Sequence, residues 1–214
     1  MTTNESFPKF DLPVDFIADD SITGDILNYY GNFPCKIKAG VFVLCTEGMV
    51  RATINLLEIV IRKNDFIVVL PNSFIQIHEV SSDTRISFAG FSSDFMLSGN
   101  YVEILLDFMP MILNSPVISL QEDVAGLYRN VYLLLIRAYT LPHSLENKEI
   151  IRSVLAIFLQ GTKELYKRYG KKLDEPLRRE QELYRQFIQL LMVHYTKEHE
   201  VAFYAEKCGV TAAH

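Results

Sequence analysis

The stretch Val41-Phe42-Val43-Leu44-Cys45-Thr46-Glu47-Gly48-Met49-Val50-Arg51-Ala52-Thr53-Ile54-Asn55 decides the fold class of this chain. Its four consecutive apolar residues at 41–44 form the centre of a strand expected over Pro34–Cys45. Glu47-Gly48 marks a turn, after which apolar residues return at 50, 52 and 54 with the period of a half-buried strand. Asn55 marks a tight break before Leu57–Ile61, where Leu57, Ile59 and Ile61 alternate with Glu58 and Val60. Further along, Lys63-Asn64-Asp65 is a turn, and Phe66–Leu70 is a continuous apolar strand stopped by Pro71-Asn72. Ile75–Val80 and Ile86–Phe91 complete the set. Short strands joined by short turns predict an antiparallel barrel or sandwich.

After Phe91 the period becomes helical. Ser92 and Ser93 can cap a short helix through Asp94-Phe95-Met96, and Tyr101–Met109 reads as a second helix broken at Pro110. Glu122–Tyr139 places Val124, Leu127, Tyr128, Val131, Leu134, Leu135 and Ala138 at steps of three and four, and Pro142 stops it. A further helix, to Tyr169, carries Ile150, Ile151, Val154, Leu155, Phe158, Leu159, Leu165 and Tyr166. The polar run Gly170–Pro176 reads as a linker. Beyond it Leu183, Tyr184, Phe187, Ile188, Leu191 and Tyr195 form another stripe, followed by a short helix over Val201–Cys208. Gly209 stands where the chain must turn sharply, and Thr211 suits the N-cap of a next helix. The expected organisation is a barrel over 1–115, a helical segment over 116–170, a linker over 171–180 and a helical unit over 181–214.

Composition narrows the function classes. Apolar residues make up 49%, enough for a sizeable core, with 14 Phe and 11 Tyr supplying bulk in the absence of tryptophan. The net charge of −5 excludes a chain-wide basic field drawing it to nucleic acid. All of that charge lies before residue 171, because residues 171–214 balance. Three widely spaced cysteines, Cys35, Cys45 and Cys208, favour neither a disulfide framework nor a zinc site. The N-terminal residues lack the signature of a signal peptide, and the longest strongly apolar run, Val131–Ile136, is too short to span a bilayer. A soluble, cytoplasmic protein with no membrane partner is expected.

Two stretches carry a family resemblance. Phe33–Gly48, Ile54-Asn55-Leu56 and Asn64–Pro71 together resemble the cupin-like N-terminal barrel of AraC/XylS-type bacterial regulators. Glu200-Val201-Ala202-Phe203-Tyr204-Ala205-Glu206-Lys207-Cys208-Gly209-Val210-Thr211 looks like the first helix and turn of that family's N-proximal helix-turn-helix. Ala205 matches the small residue at the helix crossing, Gly209 the turn and Thr211 the start of the recognition helix. The physical logic agrees, since closely crossing helices need a small side chain and a reversing chain favours glycine. The same spacing also suits an ordinary helical hairpin, and it is the barrel pattern upstream that favours the family. The resemblance implies an α+β sensor with an antiparallel barrel, a helical dimerisation segment and an incomplete helix-turn-helix. It also implies promoter DNA as the partner of the whole regulator, a small-molecule effector in the barrel, and homodimerisation. Only Ala212, Ala213 and His214 follow Thr211, so the chain reads as a fragment, with no base-reading residue and no expected sequence-specific DNA binding of its own.

Enzyme chemistry is poorly supplied. A metal-dependent cupin needs several imidazole ligands, but the strand that would carry them reads Val41-Phe42-Val43-Leu44, and His78 stands alone later. His194 and His199 do not make a convincing metal pair. Cys45 and Cys208 read as packed thiols, and Glu47 as a solvated turn residue. No phosphate loop, nucleophile elbow or paired-carboxylate motif appears. No catalytic residue, metal or cofactor is therefore assigned. The effector-binding candidates are Tyr29, Tyr30, Phe42 and Leu44, and the dimer-interface candidates are Leu135 and Phe158. The alternative reading is a stand-alone small-molecule-binding cupin with a helical tail.

Overall fold

The computed structural model describes residues 9–29, 34–97, 101–140, 148–170 and 197–211, with single positions 179, 183, 186, 187, 190, 191 and 194. Its ten described strands form two five-stranded sheets. The outer sheet runs β1 (Lys9–Phe10), β3 (Cys35–Ile37), β8 (Ser73–Val80), β5 (Met49–Ile54), β6 (Leu57–Arg62). The middle sheet runs β10 (Val117–Ser119), β7 (Asp65–Val69), β4 (Gly40–Glu47), β9 (Arg85–Phe91), β2 (Phe16–Thr23). All pairings are antiparallel except β1 with β3. The fold class is α+β, with open sheets where a closed barrel was expected. Each sheet ends on edge strands that pair on one side only, so hydrogen bonding never runs round the whole set.

Most connections from β1 to β9 cross between the sheets, and several crossings use left-handed backbone. Gly48 (φ 77) turns β4 into β5, and a Cβ there would lie 2.6 Å from Thr84 Cα. Asn64 (φ 68) turns β6 into β7. Leu70-Pro71-Asn72-Ser73 is a type II turn with Asn72 at φ 68 and the Ser73 N–H donating to Leu70 O at 3.1 Å. The exception is the β5–β6 hairpin, whose Asn55-Leu56 turn (φ 47 and 70) has the twist that suits adjacent antiparallel strands. The strand expected over Pro34–Cys45 is two strands in different sheets. It breaks at Lys38-Ala39, where the Lys38 N–H bonds Phe10 O and Ala39 is fully buried.

The described helices are α1 (Gly24–Tyr29), α2 (Ser93–Leu97), α3 (Tyr101–Asn114), α4 (Glu122–Thr140), α5 (Lys148–Tyr169) and, beyond residue 200, α6 (Val201–Lys207). α2 to α5 cover the far face of the middle sheet, whereas α1 lies against β8 and β2 with Leu27 turned to the space between the sheets. The Phe95 N–H donates to Ser92 Oγ, making Ser92 the cap of α2. α3 passes through Pro110 instead of ending there. Phe108, Met109 and Ile112 are all buried on either side of the proline, and their packing outweighs a cost of roughly 3 kcal/mol for an interior proline.

Two cores result. The first lies between the middle sheet and α3–α5 and is sealed. Phe158 on α5 is its hub, with ring centroids 5.0 Å from Phe42, 6.2 Å from Phe66, 5.9 Å from Tyr128 and 5.8 Å from Tyr132. The second lies between the sheets, around Cys45, Val50, Ala52, Ile54, Ile61, Ile67, Val69 and Ile86.

Candidate functional site

Side chains between the sheets are less completely buried than those of the helical core. Strand alternation sends Phe42 and Leu44 of β4, at 1% and 0% exposure, into the helical core, and sends Val41 and Val43 the other way. Val41 and Val43 remain half-buried although β4 has a strand on either side. Ile75 and Ile77 of β8 and Ile37 of β3 behave likewise in the outer sheet. Burial between the sheets is therefore graded: Cys45, Val50, Ala52, Ile54, Ile61, Ile67, Val69 and Ile86 are buried, and the half-buried side chains pack against them.

Two expectations change accordingly. Phe42 and Leu44 do not line this space, because the parity of β4 turns them towards α5. Among the effector candidates, Tyr29 ends α1, while Tyr30 lies outside the described residues. The lining instead comes from the alternate residues Val41 and Val43. Two polar groups share the inward face near β2 and β3 among the described residues: Asp19 of β2, half-buried and directly opposite Phe88, and the half-buried Cys35 thiol of β3, opposite Ile75. A narrow cleft between the β5–β6 hairpin and the end of α3 is lined by Ile54, Leu57, Leu70, Ile112, Leu113 and Pro116. It encloses room for no more than about one water.

The dimer candidates Leu135 and Phe158 are at 1% and 2% exposure and belong to the chain's own core, so they cannot face a partner. α4 carries two stripes one residue apart. Ala125, Tyr128, Tyr132 and Leu135 are buried, whereas Leu127 and Leu134 are 61% and 54% exposed, with Val124 and Val131 half-buried beside them. The spacing 124, 127, 131, 134 was legible in the sequence; its separation from the core stripe was not.

Towards the C-terminus, α6 packs Tyr204 and Phe203 edge-on against Phe187 and His194, at 5.8 Å and 5.3 Å between centroids. Tyr204 and Ala205 are buried. The helix ends in a Schellman motif, in which the Val210 N–H donates to Ala205 O and the Gly209 N–H to Glu206 O, with Gly209 at φ 68. Thr211 is described, but the residues it would cap lie outside the described set.

The chemistry-bearing groups have structural partners. His78 is exposed on the outer sheet, 2.7 Å from the Thr53 hydroxyl. Burial, reinforced by the Asp65 carboxylate, pushes the Cys45 thiol up to about 11, the reverse of what a reactive thiolate requires. Burial also raises the Cys35 thiol, and it pushes Tyr128 up to about 12. Among the described residues no group of His, Cys, Asp and Glu could hold a metal ion, and no helix is long and apolar enough to cross a membrane.

No protein-family model matches the sequence, and neither does any curated protein. Among solved structures, the AraC-like transcriptional activator CuxR aligns over 83% of this chain and 59% of its own, at 9% identity and a TM-score of 0.46. ToxT from Vibrio cholerae aligns over 92% of this chain and 72% of its own, at 12% identity and 0.41. ToxT from strain SCE256, in a form with unsaturated fatty acid bound, aligns over 95% and 90%, at 10% and 0.36. The chain spans about 59% of the length of CuxR, and likeness at these scores establishes no shared function.

Proposed function

We propose that this chain is the effector-sensing and dimerising part of an AraC-type transcription regulator and not an enzyme, acting in the cytoplasm. The observation that carries the reading is the end of α6. Buried Ala205 followed by left-handed Gly209 stands where the sequence resemblance puts the crossing and the turn of a helix-turn-helix. Residues 181–214 would then belong to the DNA-reading unit, 171–180 to the linker and 1–170 to the sensor. Chromatin immunoprecipitation of the tagged gene product from its host tests this. Discrete promoter sites with paired half-sites are expected, and an unpatterned distribution would sink the reading.

Homodimerisation belongs to the same proposal, and the exposed stripe of α4 supports it. Val124, Leu127, Val131 and Leu134 fall at the a and d positions of a heptad. Asp123, Asn130 and Arg137 flank them at one-turn-pair intervals, so an antiparallel second copy would set Asp123 against Arg137 and Asn130 against itself. The L127E/L134E variant is expected to sediment as a monomer with unchanged circular dichroism. A dimer that survives both changes would remove α4 as the interface. The space between the two sheets is the proposed effector site.

A further inference from the structure

We infer that the free edge of β6 pairs with the same edge of a second copy of this chain, antiparallel and centred on Val60. This contact is separate from the α4 stripe. Each sheet has two edges, and three of the four are protected. β1 and β10 are two and three residues long, and β2 carries a register shift at Asp19-Asp20-Ser21. Shortness, irregularity and inward-pointing charge are devices that keep sheets from joining at their edges. β6 has none of them. It is six residues long, keeps one continuous register with β5, and contains no proline or lysine.

The hairpin turn sets which backbone groups face outward. Ile54 stands opposite Leu57 across the Asn55-Leu56 turn, so Leu57, Ile59 and Ile61 bond to β5. Glu58, Val60 and Arg62 point their N–H and C=O groups the other way. The Arg62 N–H fixes that direction, because it donates to Asp65 Oδ2 at 2.7 Å beyond the strand. The side chains of these three residues are exposed, Val60 at 44%. Around a dyad at Val60, each Val60 N–H donates to the Val60 C=O of the second copy. Each Glu58 N–H donates to its Arg62 C=O. Among the described residues none of these groups has another backbone partner.

Charge selects the antiparallel arrangement. The dyad sets Glu58 against Arg62 twice on the exposed face, and Ile59 against Ile61 on the inward face. Within one strand the two charges stand about 13 Å apart, at roughly 3.3 Å per residue, and cannot pair with each other. Neither has an ion-pair partner among the described residues. A parallel copy in register would instead set Glu58 on Glu58 and Arg62 on Arg62.

Strand pairing of this length buries far less than the roughly 1,200–2,000 Å² of a stable complex, so the contact is weak by itself. Sedimentation of L127E/L134E from about 10 µM to about 1 mM isolates it from α4, with pairs expected only towards the upper end. Over the same range amide exchange at Glu58 and Val60 should slow. Exchange at Ile59 and Ile61, already bonded to β5, should stay constant. Val60→Pro removes a donor that the fold does not use and should abolish pairing. Glu58→Arg sets like charges face to face and should weaken pairing about tenfold. Adding Arg62→Glu reverses both charges and should restore it. Circular dichroism checks that each variant folds, and the charge exchange carries the test should the proline variant unfold. Absence of pairing at about 1 mM overturns the inference, as does pairing that survives Val60→Pro. A double exchange no better than Glu58→Arg alone also overturns it. Slower exchange without a rise in mass would give the edge to another part of the chain, not to a second copy. These outcomes leave the α4 contact untouched, since it is read at low concentration on the parent sequence.

Discussion

Leu56 sits at φ 70 on the tip of the β5–β6 hairpin with 85% of its surface exposed. The other non-glycine residues with positive φ are asparagines, whose side chains tolerate the left-handed region; a leucine there is strained. Leu56→Gly should therefore stabilise the protein by about 0.5–1 kcal/mol in urea titration, although glycine also loosens the unfolded chain. Cys45 gives a pH signature. Its thiol has a higher pKa folded (about 11) than its ordinary 9.0, so folding holds the proton more tightly. The stabilisation is complete below about pH 9 and is lost as pH rises through about 11. Replacing Cys45 with Ala should flatten the fall in melting temperature across that window, and an unchanged slope would assign the fall to other groups. Alternation along β4 was legible at this scale, but not which parity meets the helices. Phe42 and Leu44 were the larger apolar residues and looked like the pocket, yet the larger side chains fill the sealed core and the smaller Val41 and Val43 face the space.

At the scale of elements, the strands over 49–91 could be read from period and turn residues, because Gly48, Asn55, Asn64 and Pro71-Asn72 mark the turns up to β8 and the polar run Ser81-Ser82-Asp83-Thr84 separates β8 from β9. β2 was missed, since Asp19-Asp20-Ser21 breaks the alternation at a register shift and an edge strand needs no continuous apolar face. β10 was missed because three residues carry no period. α3 shows the limit of a local rule. Proline removes a backbone donor and clashes with the preceding turn, but Phe108, Met109 and Ile112 hold both halves of the helix against the core. Pro110→Ala should raise stability, by about 1–3 kcal/mol at most, without changing helix content by more than the last turn. A neutral or destabilising result in thermal unfolding would mean that the ring itself packs into the core.

The molecule as a whole is a middle sheet with different demands on its two faces. One face meets α3–α5 in an aromatic core; the other meets the second sheet, where Val41 and Val43 stay half-buried. Loss of side-chain volume should therefore cost unequally on the two sides. Phe158→Ala removes the ring that touches Phe42, Phe66, Tyr128 and Tyr132, which joins two strands to two helices, and the rigid surroundings cannot collapse into the gap. A cost of about 3–5 kcal/mol is expected, a large part of the total stability of a domain. Val43→Ala, one residue along β4 from Phe42, removes methyl groups from a half-buried position. It should cost about 1 kcal/mol or less, because little burial is lost and no closed cavity forms. Urea titration of both variants compares the faces directly. Equal costs would mean that the inter-sheet space is sealed in solution, and with it would go the room for a ligand between the sheets.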